Sequence, residues 1–260
     1  MSFSRICLLL AAGAVAGVMN AVAGGGTIVT FPALIFAGVS SITANATSTI
    51  ALLPGSLAGV AGYRRNLPAV WKWIKIFTPV SLLGGLLGGI LLTKTPESVF
   101  DGLVPFLILF ATVLFSAHAF FARIFRLEAR QASQTISMRW LIGAMLFQFA
   151  VSVYGGYFGA GIGILMLASL GILGFENIHE MNAVKGVLAF AINVIAAAYF
   201  IFSGLVDWPA AMLVATGGII GGYSGAHFAQ KIRQETVRHL ITGLGLLITA
   251  VMFYQQLKNR

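Results

Sequence analysis

The chain repeats itself once, at a constant offset of 137 residues, and each copy carries a knot of glycines inside an apolar stretch. Asn20-Ala-Val-Ala-Gly24-Gly25-Gly26 falls on Tyr157-Phe-Gly159-Ala-Gly161-Ile-Gly163. The same register pairs Asn45 with Asn182, Trp71 with Trp208, Lys94 with Lys231, and Gly84-Gly85-x-x-Gly88 with Gly221-Gly222-x-x-Gly225. Consecutive glycines weaken a helix by about 1 kcal/mol each relative to alanine. Duplicated halves with helix breaks at matching depth are a way to build a central site in a membrane.

Composition places the repeat in lipid. Hydrophobic residues make up 58% of the chain and charged residues 9%, whereas a soluble domain carries roughly a quarter charged. The 260 residues leave room for about eight spans of ~20 residues with short loops. The fold class expected is an all-α integral membrane protein in one transmembrane domain, with repeat one over 3–122, a linker over 123–139 and repeat two over 140–260. The net charge of +9 comes from short segments between helices, as in membrane proteins, so no nucleic-acid partner is expected. Arg5, the apolar run after it and Ala21-Val22-Ala23 resemble a cleavable signal peptide. The counterpart of residues 3–26 deep in the chain argues against cleavage.

The first apolar stretch of each half, 3–38 and 140–174, is too long for one straight span. Each holds its glycine knot near the middle, so a broken or re-entrant helix is expected in both. Backbone freed at that depth must line a cavity or be buried in protein. If these stretches re-enter, the halves are inverted, and Arg64, Arg65, Lys72, Lys75, Arg123, Arg126, Arg130, Arg139, Lys231, Arg233 and Arg238 share one face. If they cross once, the halves are parallel, and Arg5, Lys258 and Arg260 replace the last three. Both arrangements put eleven basic residues on the richer face, so the positive-inside rule does not separate them. Inversion is the expectation, on the transporter pattern.

Polar residues inside apolar runs mark the candidate site. Gly24, Gly25 and Gly26 free backbone N–H groups, and half-helix N-termini add partial positive charge suited to an anion. Asn20 adjoins that knot; Tyr154, Gly155, Tyr157, Gly161 and Gly163 form its counterpart, with two phenol hydroxyls as possible donors. Asn45, Thr47 and Ser48 open the next stretch of the first half. Asn182 and Lys185 open its counterpart, followed by Asn193. Lys185 is the least expected, since a charge in an apolar run costs a few kcal/mol unless it finds water, an interface or a partner. Its register mate is Ser48, so the cation is on one side only. Snorkelling to the headgroups, paired with Glu176 or Glu180, is the bland reading. The Gly84 and Gly221 motifs read as close helix packing. The four histidines lack ligand spacing and no P-loop is present, so neither a metal, another cofactor nor ATP is expected.

At these residues the chain resembles the TauE/SafE sulfite-exporter family, the TSUP permeases. The features that carry the likeness are the Asn20 knot with Pro32-Ala-Leu, Ala44-Asn45-Ala46-Thr47, the run from Tyr154 to Gly163, Lys185 and Asn193. The resemblance implies a secondary permease of the bacterial inner membrane for sulfite, sulfonates or related anions. It places Asn20, the knots and Lys185 near the substrate, with a proton as a possible coupling ion. A passive anion channel could use the same residues. An intramembrane enzyme is less supported, because no acid–base or nucleophile constellation recurs within the spans.

Overall fold

The computed structural model describes residues 2–22, 25–129, 138–175, 177–228 and 234–258. Among them every regular element is a helix. In chain order these are α1 (Phe3–Val22), α2 (Thr27–Phe36), α3 (Ser41–Ala51), α4 (Leu53–Gly62), α5 (Leu67–Lys94), α6 (Glu97–Ala129), α7 (Met138–Tyr157), α8 (Ile162–Ile172), α9 (Ile178–Phe202), α10 (Trp208–Phe228) and α11 (Gln234–Lys258). The physical reason is the solvent: in hydrocarbon a segment must satisfy its own backbone, and only a helix does so within one strand of chain. Five helices, α1, α5, α6, α7 and α9, are long and apolar enough to cross a membrane. The protein is an all-α integral membrane protein.

Both long first stretches are broken where the glycines fall. α1 and α2 are separated at residues 23–26, and α7 and α8 at 158–161. Gly25, Gly159 and Gly161 take positive φ, at 92°, 81° and 81°, a region closed to most side chains. α2 folds back along α1. Its start lies against Ala16, and Gly38 beyond its end lies beside the Arg5 guanidinium, near the start of α1. α8 likewise returns towards the start of α5, where Phe175 meets Trp73 edge-on at 5.5 Å. The second stretch of the first half is also interrupted: α3 and α4 meet at Leu52, and Pro54 follows in the first turn of α4. Its counterpart α9 runs unbroken for 25 residues.

Small residues lock each broken pair onto a helix of the other half. A methyl on Gly13 would fall on the Val214 carbonyl, and one on Gly17 on the Gly218 carbonyl, so α1 and α10 run the same way in close contact. Gly84 abuts Phe149 and Ser152, and Gly88 abuts Val153 and Tyr157, so α5 and α7 do likewise. The Gly84 and Gly221 motifs therefore pack helices, as their sequence reads. In bilayers, where lipid is as apolar as leucine, such close backbone approach is a principal source of association. α6 and α11 pair in opposite senses, with Gly245 on Thr112 and Phe106 edge-on to Phe253 at 5.1 Å. α6 continues through Arg123 and Arg126 to Ala129, into the stretch whose polarity marks it as a linker.

Candidate functional site

The first knot is closed by its own asparagine. Asn20 Oδ1 accepts the Gly26 amide at 2.8 Å, capping one of the N–H groups that a helix start leaves without an intrahelical partner. In the first turn of α2, Thr30 Oγ1 donates to the Gly26 carbonyl at 3.2 Å. The same hydroxyl pairs with Ser48 Oγ at 2.6 Å. Thus Ser48, fully buried on α3, is tied to the first knot. Gly25 completes that turn, and a side chain there would meet the Phe115 ring. Gly24 lies outside the described residues.

One turn earlier on α3, Asn45 reaches the second knot. Its Nδ2 donates to the Tyr157 carbonyl at 2.8 Å, at the C-terminal end of α7, where helix carbonyls lack partners. Asn45 is 1% exposed, and among the described residues its Oδ1 has no hydrogen-bond partner. Both phenols are committed within the protein: Tyr154 donates to the Ala160 carbonyl at 2.8 Å, and Tyr157 to Thr95 Oγ1 at 3.3 Å. The Tyr154 bond stays within the second knot, and the Tyr157 bond ties the end of α7 to the turn between α5 and α6. Gly155 packs against Ile162 and Ile192. Thr47 accepts the Asp207 amide at 3.0 Å, which ties α3 to the start of α10.

The cation lies at the start of α8. Lys185 runs along the first turn of that helix, with its Cδ 3.2 Å from where a methyl on Gly163 would lie. Gly161, left-handed, precedes this turn and supplies no side-chain cap. The Lys185 ammonium donates to Asn182 Oδ1 at 2.7 Å, and Asn182 Nδ2 donates to the Ile178 carbonyl at 2.9 Å. Neither carboxylate considered for it is seen to pair with it: Glu180 takes Asn177 Nδ2 at 3.1 Å, and Glu176 lies outside the described residues. So a full positive charge and the positive end of a helix meet at one place, and among the described residues only a neutral amide oxygen answers them.

The line from the first knot through Ser48 and Asn45 to the second knot and Lys185 is continuous. Asn193 is outside it, eight residues or about 12 Å further along α9. Three members were not singled out by sequence: Thr30, Thr95 and Asp207. Thr30 alone had a signal, as a hydroxyl flanked on both sides by apolar residues of α2. Replacing Asn20 with alanine leaves the buried Gly26 amide unpaired, at a cost of about 1–3 kcal/mol. A thermal midpoint lowered by about 2–4 °C per kcal/mol in detergent is the expected reading.

Comparison with known proteins places the chain in a family. Residues 9–252 match the model of the family described as Sulfite exporter TauE/SafE. A Haemophilus influenzae protein named "Probable membrane transporter protein" is 28% identical over 96% of this chain and 95% of its own length. The Escherichia coli K12 "Probable membrane transporter protein YfcA" is 24% identical over 92% and 86%. A Bacillus subtilis relative, YunE, carries the same description at 25% identity over 95% and 97%. The chain matches no solved structure. It belongs to the TauE/SafE sulfite exporter family and is a multi-pass membrane transporter.

Proposed function

We propose that this transporter is a secondary permease of the bacterial inner membrane that carries small sulfur-containing anions, sulfite or organosulfonates, by alternating access between two inverted halves. The observation that carries the reading is the meeting of Lys185 with the start of α8. Both favour an anion, and a compact oxyanion answers an ammonium and a set of amide N–H donors together. The family's description supplies the sulfur chemistry.

Inversion is supported by the helix contacts. α1 and α2 begin and end near Arg5, while α7 and α8 begin and end near Trp73, at the opposite end of α5 from Lys94. With that sense of the chain, Arg64, Arg65, Lys72, Lys75 and Arg139 belong to one face and Arg5 and Lys94 to the other, and the richer face is the cytoplasmic one. Trp71 and Trp208 then lie at opposite interfaces, as an aromatic belt requires.

Uptake of sulfite, sulfonates, chloride and carboxylates into proteoliposomes tests the substrate class. Saturable uptake of one sulfur oxyanion, resisted by excess of other sulfur oxyanions and not by chloride, is the expected result. Equal passage of all anions without saturation would instead identify a channel.

A further inference from the structure

The halves share one register but pack differently, and the difference is concentrated in α4 and its counterpart. The second part of α9 lies on α5. A methyl on Gly85 would be 3.1 Å from Ile192 Cα, and one on Gly89 would be 3.7 Å from Ala196 Cα. Ile192 and Ala196 are fully buried there. Tyr199 adds a hydroxyl contact of 3.4 Å to Thr93. The residues matching Ile192, Ala196 and Tyr199 in the first half are Gly55, Gly59 and Gly62. Around all three there is open space, with nothing within 4 Å of an added methyl.

α4 accordingly has no buried residue. Gly222, which matches Gly85, would meet only the Gly17 carbonyl, at 3.8 Å. α4 leans instead on the first part of α9, where Val60 approaches Gly186 at 3.6 Å. Between α4, α1 and α10 a narrow crevice remains, lined by Gly17, Asn20, Leu52, Gly55, Ala215 and Gly218. Asn20, which closes the first knot, is one of the residues that line it.

The chain supplies a hinge at the top of this helix. α3 stops at Ala51 and α4 starts at Leu53, and Pro54 has no N–H with which to continue the ladder. The matching positions in α9, Ala189 and Ala191, carry the helix straight through. α4 ends next to Tyr63 and His179, whose rings are 6.4 Å apart, on the face that bears Arg64 and Arg65. The α9–α5 contact lies towards Lys94, on the other face.

We infer that α4 is the gate on the basic face: the structure is open to that face through the α4–α10 crevice and shut on the other by α9 packed on α5. Closing consists of α4 turning about Leu52–Pro54 on to α10. The inference rests on the inverted arrangement proposed above, in which transport exchanges the packing of the two halves. It adds which helix moves, where it bends and which face is open. Glycines at 55, 59 and 62 suit a helix that must leave and rejoin its partner, because they offer little apolar surface to hold it in place. Their counterparts on α9 hold.

The test reads water access and needs no substrate. With Cys7, the sole cysteine, replaced by serine, Ala215→Cys places a reporter in the crevice, and Thr78→Cys places one at the matching position on α5. A membrane-impermeant cationic methanethiosulfonate is applied to sealed vesicles of each orientation. Ala215→Cys is expected to react from the basic face. Thr78→Cys is expected to react at least about tenfold more slowly from either face, as for a site whose open form is a minor state. Adding Gly55→Ile, the residue of the matching position, fills the crevice and slows Ala215→Cys by about tenfold or more.

Failure of Ala215→Cys to react from the basic face would overturn the gate, since a lipid-filled gap excludes the charged reagent. Faster reaction from the opposite face, equal reactivity of the two reporters, or no slowing by Gly55→Ile would each do the same. If Gly55→Ile does not fold, the comparison of the two reporters still decides. Loss of sulfur-anion uptake with this labelling pattern intact would remove the substrate reading alone.

Discussion

Lys185→Ala is expected to abolish saturable anion uptake in proteoliposomes while leaving the protein as stable as before, or more so. The two effects have opposite signs for one reason. A cation inside an apolar span, answered among the described residues only by the Asn182 amide, costs folding free energy, so its removal relieves that cost. The bound anion loses a charged hydrogen bond worth about 1.5–3 kcal/mol. That is roughly a ten- to hundredfold loss of affinity, before any loss of long-range attraction in a low-dielectric site. Lys185→Arg keeps the charge but cannot keep the geometry beside Gly163, because the planar guanidinium is broader than the ammonium; partial uptake is expected. Measuring uptake and thermal midpoint on the same preparations separates this from simple misfolding. A midpoint that falls together with uptake would make Lys185 a structural residue. Unchanged uptake would remove it from the mechanism.

The largest effect on folding is expected at the glycines that join the halves. Alanine at Gly88 would overlap the Val153 carbonyl and approach the Tyr157 amide to 2.7 Å. Alanine at Gly221 would overlap the Ala14 carbonyl. In both cases the obstructing atoms are backbone, so a rotamer change cannot make room, and whole helices must separate. Overpacking of a fitted interface typically costs about 1–3 kcal/mol, and these two positions belong at or above the top of that range. Gly102→Ala, which meets nothing within 4 Å, is the control, with a gain of up to about 1 kcal/mol from helix propensity. Thermal unfolding in detergent should therefore order the variants Gly102→Ala above the parent, with Gly88→Ala and Gly221→Ala far below. Equal midpoints for all four proteins would contradict the packing described for α1 with α10 and α5 with α7.

Much of this scaffold is legible in the chain because lipid leaves few options. Apolar stretches of span length must be helices, and glycine runs inside the two overlong ones must be breaks. The packing role of Gly84 and Gly88 follows from the same spacing. What was not legible is the direction in which matched side chains turn. Asn45 and Asn182 occupy one register position, yet Asn45 reaches across to the Tyr157 carbonyl, while Asn182 turns back on to Ile178 and Lys185. No local rule distinguishes them, because the choice depends on which knot is within reach. The tyrosines illustrate the same limit. Their hydroxyls are correctly placed beside flexible backbone, but the nearest acceptors are the Ala160 carbonyl and Thr95, which sequence does not bring near. A proline at 54 breaks the helix ladder by its missing N–H, whereas the consequence, a helix with no buried residue, emerges only when α4 is set beside α9.

Counterflow decides whether one anion site is exposed to each face in turn. Proteoliposomes are preloaded with unlabelled sulfite or an organosulfonate, diluted into a trace of the labelled anion, and clamped at zero membrane potential. Alternating access produces a transient accumulation of label above its equilibrium level, because the site returns outward carrying unlabelled anion, which outcompetes the internal label for exit. A monotonic approach to equilibrium, with no overshoot at any preload, would identify a continuous pore and contradict the transport mechanism.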